Sequence, residues 1–209
     1  MNRPRRIVGV LLMAVGVLLV GTAIFLIVRN SYLDRAAGVA SADALEKIDA
    51  YISENADATA PTDLSDDTPD TVPDDPDAGY EILTVGTAPF FGTIDIPAAD
   101  IRLPLIDVFS YDYLDIAPCR YRGSIAGDDL VIIAHNYASH FGRLSSLGVT
   151  DRVQITLLSG TPYAYTVVDT EEINGYDVER LDEGEWDLTL FTCDPSGQYR
   201  HVIRCQRIA

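Results

Sequence analysis

An uninterrupted apolar run of 22 residues near the N-terminus, Ile7 to Val28, most constrains how this 209-residue chain can fold. As an α-helix, such a run is long enough to cross a bilayer core of about 30 Å. A cleaved signal peptide is the alternative interpretation, but its apolar core is usually only about 7 to 15 residues long. We therefore expect a transmembrane helix at 7–28, preceded by a basic tail at 1–6.

The charges on either side of the apolar run indicate its orientation. Three arginines lie in the tail before the run, whereas Arg29 and Arg35 follow it with Asp34 between them. An excess of arginine and lysine marks the cytoplasmic side of a membrane helix. We expect a single-pass protein of the cell membrane, with a cytoplasmic N-terminus and an extracellular C-terminal domain.

Two segments of different composition follow the apolar run. Residues 29–53 are rich in Ala, Leu, Glu and Asp, with apolar residues at helical spacing, which predicts a helical stalk. Between Glu54 and Glu81 the chain has ten acidic residues, four prolines and no Lys or Arg. Such a stretch cannot bury apolar surface, so an acidic, Pro-rich linker is predicted at 54–80.

From residue 81 onward, short apolar and β-branched runs alternate with Gly, Pro and Asp turns, and only short helices are expected. We predict seven strands, at 91–96, 103–108, 130–134, 152–158, 163–173, 188–193 and 199–208. This pattern is typical of a closed barrel. The expected fold class is mainly β, with one domain at 81–209 that is large enough to bury a core.

The last two predicted strands form a hairpin that brings a cysteine and an arginine together. Cys193 ends the first strand, the turn formers Asp194 to Gly197 follow, and Arg200 lies at the start of the second strand. A thiol beside a fixed cation is a candidate nucleophile, because positive charge favours the reactive thiolate.

Such a nucleophile needs a proton-transfer partner, and the chain has three histidines, His135, His140 and His201. His135 ends the apolar run Leu130–Ala134, so this strand would place the imidazole at one rim of the sheet, as another strand places Cys193. His140 lies in a predicted short helix and His201 lies inside the last strand. His135 is therefore the predicted partner.

With these residues the chain resembles a known family, the sortases, which are cysteine transpeptidases that attach surface proteins to Gram-positive cell walls. Thr189–Cys193, TLFTC, is similar to the TLxTC motif of the family. Ile133–Asn136, IAHN, is similar to the strand that ends at the catalytic histidine. The resemblance spans roughly Phe90 to Ala209, and the order of histidine, cysteine and arginine is that of the family.

The resemblance implies an eight-stranded barrel with Cys193, His135 and Arg200 as catalytic residues, and it marks Thr192 and Asn136 as candidate substrate-binding residues. The implied reaction is two-step acyl transfer on an LPxTG-like sorting signal of secreted surface proteins. A thioacyl enzyme forms first and is then resolved by an amine of a peptidoglycan cross-bridge or of a pilin. No cofactor is needed, and the cysteines and histidines are not spaced as zinc ligands.

Three arginines in the last strand compete for the catalytic role. In sortases the functional arginine opens this strand and precedes an alternating apolar run, as Arg200 does. Arg204 shares the face of Arg200 but would lie about 13 Å further along the strand, too far to share one oxyanion. Arg207 falls on the other face. Arg200 is the predicted oxyanion partner.

Charge and the remaining cysteines set further expectations. Residues 80–209 contain 19 acidic residues and nine arginines, a formal charge of −10, so nucleic acid is not an expected partner. Outside the cytoplasm Cys119 and Cys205 could form a disulfide. We favour two buried free thiols instead, because strand position alone does not bring two Cα atoms within about 7 Å.

Alternatives to transpeptidation are a hydrolytic cysteine peptidase and a non-catalytic, tethered binding barrel.

The sortase subclass also stays open. Segment 174–186 is too short for the long helical insertion of class B enzymes. The linker could act as a lid over the active site, as in some pilin-polymerising sortases, although Asp75-Pro76 is followed by Asp77 and not by an aromatic residue.

Overall fold

The computed structural model describes residues 3–58, 80–182 and 184–208. Most of the predicted acidic linker, including the Asp75-Pro76 pair of the lid hypothesis, lies outside these residues. The chain divides into two units, Met1–Ala36 and Ala37–Ala209, which are described separately below.

A single helix, α1, extends over Arg3–Ala58 and contributes to both units. In the first unit, residues 8–28 are all exposed, and this apolar part of α1 is long enough, by length and composition, to cross a membrane. The same residues were predicted to form a transmembrane helix. Membrane insertion itself stays a prediction.

Nine strands and a short helix are found among the described residues of the second unit. The short helix α2 covers Tyr111–Leu114, and single 3₁₀ turns lie at Pro97–Ala99, Leu144–Ser146 and Val178–Asp182. The strands are β1 (Leu83–Val85), β2 (Ala88–Ile96), β3 (Ile101–Ile106), β4 (Cys119–Arg122), β5 (Leu130–Ile133), β6 (Arg152–Leu157), β7 (Pro162–Asn174), β8 (Leu188–Cys193) and β9 (Tyr199–Arg207).

Eight of these strands close into a barrel. Their order is β2-β3-β4-β5-β8-β9-β7-β6, and β6 pairs with β2 again to complete the ring. β1 adds only a short hairpin partner to β2. The predicted closed eight-stranded barrel is therefore confirmed, and the seven predicted strands correspond to β2, β3 and β5 to β9.

The sequence pattern did not reveal β4, because two arginines interrupt its apolar character. Arg120 in this strand is nevertheless only 9% exposed. Its Nε donates to the backbone oxygen of Asp107 at 2.7 Å and to the carboxylate of the same residue at 3.0 Å. A buried guanidinium is tolerated only when it is paired in this way, and such a partner cannot be read from strand periodicity.

The barrel interior is filled by alternate apolar side chains of its strands, so the residues between them point outward. On β8 the inward residues are Leu188 and Leu190, and on β9 they are Ile203 and Cys205. By this alternation Cys193 lies on the outer face of the barrel.

The part of α1 in the second unit packs against the barrel. Ala44 and Ile48 are buried, at 2% and 0% exposure, in an apolar cluster with Phe90 and Ile106. Beside this cluster Asp49 pairs with Arg102 at 2.8 Å. The segment predicted as a stalk therefore supplies part of the core of the second unit.

We expect Ile48→Ala to lower the free energy of unfolding by about 2 to 5 kcal/mol, because it opens a cavity between α1 and the barrel. Chemical denaturation of the full chain in detergent, followed by near-UV circular dichroism, measures the change. Val39→Ala on the same helix is the control, since Val39 is 72% exposed; its effect should stay within about 0.5 kcal/mol. Equal effects of the two substitutions would contradict the packing of α1 on the barrel.

Candidate active site

Cys193 and Arg200 face each other across the β8–β9 hairpin. Their Cα atoms are partners in this antiparallel ladder, and partners across a ladder project their side chains to the same face. Both residues are half-buried. Backbone pairing thus places the two residues on one face of the sheet, at the end of β8 and the start of β9.

Asp194 holds the turn that connects these two strands. Its carboxylate accepts hydrogen bonds from the backbone N–H groups of Ser196 and Tyr199, each at 2.9 Å. Gly197 completes the turn at φ 75°, a conformation that favours glycine. A hydrogen bond from the Ser196 side chain first, and then the bond from the Tyr199 N–H, lower the pKa of Asp194 to about 2.

The Arg200 guanidinium is held close to this turn. Its Nη1 donates to the carbonyl oxygens of Gly197 and Tyr199 at 3.1 and 3.0 Å. Gly175, just after β7, leaves room for it: a Cβ at Gly175 would come within 2.9 Å of Nη1 and of the Gln198 carbonyl oxygen. The absence of a side chain at Gly175 therefore lets the guanidinium approach the backbone.

His135 approaches the same rim from β5. This strand runs parallel to β8 with Ile133 opposite Phe191, and His135 and Cys193 each lie two residues beyond that pair. Since neighbouring parallel strands end at the same edge of a sheet, the imidazole and the thiol are brought to one edge of the barrel.

Thr192 and Asn136, the two predicted substrate-binding residues, connect these strand ends. The Thr192 hydroxyl, in a side chain that is 2% exposed, donates to the Ala134 carbonyl at 2.8 Å. The Asn136 side-chain amide donates to the Asp194 carbonyl at 3.1 Å. Both contacts hold the histidine strand against the cysteine strand. Substrate binding by either residue stays a prediction.

Sequence reasoning missed Asp115, which directly follows α2. Its Oδ1 lies 3.1 Å from Nε2 of His135, and the Tyr137 ring packs against the same imidazole with centroids 4.7 Å apart. The carboxylate and the ring together restrict the orientation of the imidazole. Nothing in the sequence around Asp115 distinguishes it from the other acidic residues of this chain.

The other histidines occupy different environments. His140 is fully buried, with its ring 5.7 Å from that of Tyr137. His201 is the ladder partner of Thr192, and its Nδ1 lies 3.7 Å from the Glu172 carboxylate. Because His201 alternates with Arg200 along β9, its side chain leaves the face opposite to that of Cys193.

The three arginines of β9 also lie in different environments. Arg204 is 1% exposed and forms an ion pair with Glu171 at 2.7 Å, while Arg207 pairs with Asp128 at 2.6 Å. Arg200 alone among these three is the ladder partner of Cys193. Its proposed catalytic role remains to be tested by substitution.

All three cysteines are free thiols, and their accessibility differs. Cys119 and Cys205 are fully buried in separate apolar clusters, and burial raises the pKa of each thiol to about 12. Cys193 is half-exposed. A nucleophile must be accessible, so Cys193 is the cysteine that fits the role.

The outer face beside Cys193 carries an apolar surface. Phe191, two residues before it, packs edge-on against Tyr121 with centroids 5.4 Å apart. Tyr121 in turn packs against Phe109, and Phe109 against Tyr111, which is 76% exposed. This row of aromatic rings leads from solvent to the strand that carries the thiol.

Among the residues that the structure describes, no group of acidic, histidine or cysteine side chains could hold a metal ion.

The chain matches a known protein family. The Sortase domain family matches residues 94–208, which is more than half of the chain. The chain therefore belongs to the sortase family. No curated protein is detectably similar to it in sequence.

Solved sortase structures share its fold. Sortase C1 from Streptococcus agalactiae is 27% identical, with a TM-score of 0.53, over 61% of this chain and 72% of that one. Sortase C1 of GBS pilus island 1 is 25% identical, with a TM-score of 0.50, over 56% of this chain and 64% of that one. Sortase A of Listeria monocytogenes is 21% identical, with a TM-score of 0.50, over 57% of this chain and 88% of that one, and shows likeness of fold alone.

The Asp194 turn should lose order in acid. The pKa of this carboxyl is about 2 in the folded chain against an ordinary 3.8, so its stabilising effect is complete above about pH 3.8 and is lost as the pH falls through 2. Amide hydrogen exchange at Ser196 and Tyr199 should accelerate over this interval, relative to the intrinsic rate. In Asp194→Ala the two amides should exchange rapidly at every pH, and persistent protection in that variant would refute the role of the carboxylate.

Proposed function

We propose that this chain is a membrane-anchored sortase, which cleaves an LPxTG-like sorting signal through a thioacyl intermediate on Cys193. The observation that carries this proposal is the ladder pairing of Cys193 with Arg200 at the rim to which β5 delivers His135. The three side chains have the chemistry that acyl transfer requires: a nucleophile, an acid–base group and a cationic hydrogen-bond donor.

In the first step the Cys193 thiolate attacks the scissile backbone carbonyl of the peptide and forms a C–S bond. The carbonyl electrons move onto oxygen, where the Arg200 guanidinium donates a hydrogen bond to the oxyanion. As the oxyanion collapses the C–N bond breaks, and the His135 imidazolium gives its proton to the departing amine. The N-terminal part of the peptide remains as a thioester on Cys193.

In the second step an amine resolves the thioester. Neutral His135 takes a proton from the attacking amine, the new amide bond forms, and the thiolate leaves. We propose an amine of a peptidoglycan cross-bridge or of a pilin as the acceptor. A pilin acceptor is supported by the similar structure that is described as a sortase of a pilus island.

The proposed location is the cell membrane, with the basic tail in the cytoplasm and the catalytic domain outside. The exposed apolar residues 8–28 of α1 support the anchor. The three arginines of the tail support the orientation, because positive charge favours the cytoplasmic side. An extracellular enzyme would meet secreted surface proteins and cell-wall amines on the same side of the membrane.

A product assay with the full chain in detergent micelles separates this function from its alternatives. The enzyme is incubated with a library of sorting-signal peptides and an added amine, and the products are identified by mass spectrometry. Transpeptidation gives a peptide joined to the amine, hydrolysis gives only the free acid, and a non-catalytic barrel gives neither. We expect the joined product with wild type and no turnover with Cys193→Ala or His135→Ala. Turnover by Cys193→Ala at the wild-type rate would refute the proposal.

Arg200→Ala should lower kcat by about 10²- to 10³-fold, because the oxyanion loses its charged donor. Arg207→Ala is the matched control, since it removes an arginine from the same strand that is paired elsewhere, with Asp128. The rate of the Arg207 variant should stay close to that of wild type. Retained activity in Arg200→Ala would overturn the assignment of the oxyanion partner.

Asp115→Asn should lower kcat/KM by about two- to fivefold. The reason is that Asp115 is 68% exposed, and an exposed ion pair contributes at most about 1 kcal/mol to the orientation of its partner. Asp112→Asn on the neighbouring helix α2 is the control, because Asp112 is exposed. If both variants have the same kinetic constants as wild type, Asp115 does not orient His135 during turnover.

A further inference from the structure

Arg204 uses every donor of its guanidinium inside the protein. Its Nε and Nη2 donate to one carboxylate oxygen of Glu171 at 3.0 and 2.7 Å, and Nη1 donates to the Thr189 hydroxyl at 3.1 Å. The two remaining bonds go to the backbone oxygens of Arg180 and Leu181, at 2.6 and 3.0 Å. A guanidinium has five N–H donors, and all five are satisfied here.

The last two bonds join β9 to the segment between β7 and β8. Arg180 and Leu181 lie in the 3₁₀ turn Val178–Asp182, 24 and 23 residues before Arg204 in the chain. The Arg180 side chain strengthens the same connection, because its Nε donates to the second oxygen of Glu171 at 3.1 Å. Burial alone would raise the pKa of Glu171, but hydrogen bonds from Arg204 and Arg180 outweigh it and lower the pKa.

Leu181 covers the apolar surface beside the Cys193–Arg200 pair. Its side chain is 3% exposed and packs in a cluster with Ile173, Phe191 and Val202. All three residues are near neighbours of the pair. Phe191 lies two residues before Cys193, and its ladder partner Val202 lies two residues after Arg200. Ile173 is the β7 partner of Arg200. The position of Leu181 therefore shapes the outer face next to the thiol.

Burying the Arg204 guanidinium is a costly way to stabilise a fold, because an apolar residue of similar size often stabilises it equally well. The Arg204 guanidinium has a second effect, because it holds the consecutive carbonyls of Arg180 and Leu181 against the sheet. An apolar side chain at position 204 could fill the space but could not hold those carbonyls.

We propose that Arg204 and Glu171 are positioning residues, a latch that fixes the Arg180–Leu181 segment as one wall of the peptide-binding surface beside Cys193. The inference rests on the proposed function for its kinetic consequence, although the latch can be tested without turnover. The pair acts through Leu181 on substrate binding and does not touch the reacting atoms. Its loss should therefore raise KM and leave kcat nearly unchanged.

The first test is limited trypsin digestion of the full chain in detergent, because trypsin cleaves after arginine and Arg180 supplies a site inside the segment. Cleavage of the folded protein reports how often a segment opens. We expect cleavage after Arg180 to be at least about tenfold faster in Arg204→Met than in wild type, as mapped by mass spectrometry. The matched control is Arg207→Met, which removes another paired arginine of β9, and it should digest at the wild-type rate at this site.

Cleavage after Arg143, which lies outside this segment, reports general unfolding in the same digest. If Arg204→Met is cleaved faster at both sites, the variant is unfolded. Glu171→Gln then tests whether the ion pair holds the Arg180–Leu181 segment, because glutamine preserves the shape of the glutamate side chain. Glu172→Gln is its control: Glu172 is the next residue of β7, on the opposite face, beside His201. Wild-type cleavage after Arg180 in Glu171→Gln would overturn the latch.

The second test is kinetic and uses the sorting-signal peptide that wild type turns over. In Glu171→Gln we expect KM to rise about five- to tenfold with kcat within about twofold, whereas Glu172→Gln should leave both constants unchanged. An equal fall of kcat with an unchanged KM would contradict a positioning role. If wild type turns over no peptide, the proposed function fails, and the digestion result still decides whether the latch exists.

Discussion

The register of the β8–β9 ladder is the constraint on which the rest of the site depends. It makes Cys193 and Arg200 direct partners, and a slip of one residue would turn either side chain to the other face of the sheet. The alternation of buried residues fixes this register, because Leu190 and Ile203 must both point into the barrel. The packing of the core thereby determines the geometry of the proposed chemistry.

Barrel closure extends this control to the third residue of the site. β5 is parallel to β8, so His135 and Cys193 arrive at one rim from strands that pair from Leu130–Leu188 to Ile133–Phe191. The contacts of Thr192 with Ala134 and of Asn136 with Asp194 then connect the strand ends themselves. The proposed catalytic groups are therefore placed by strands and their immediate ends and not by a long loop, which favours precise placement.

Much of this arrangement could be predicted from the sequence because it depends on local pattern. Strand periodicity, the turn residues after Cys193 and the motif TLFTC were sufficient to predict the barrel and to nominate Cys193, His135 and Arg200 as site candidates. The features that were missed depend on contacts between distant residues. β4 carries a buried arginine that needs Asp107, Arg204 needs Glu171, and Asp115 meets His135 only after the barrel has formed.

The central claim, that Cys193 accepts the acyl group, is tested most directly by intact-protein mass spectrometry of the full chain with a cleavable sorting-signal peptide and no added amine. We expect a covalent adduct with the mass of the N-terminal peptide fragment, mapped to Cys193 and released when an amine is added. Peptide cleavage with no adduct on Cys193, or with the adduct on Cys119 or Cys205, would contradict it.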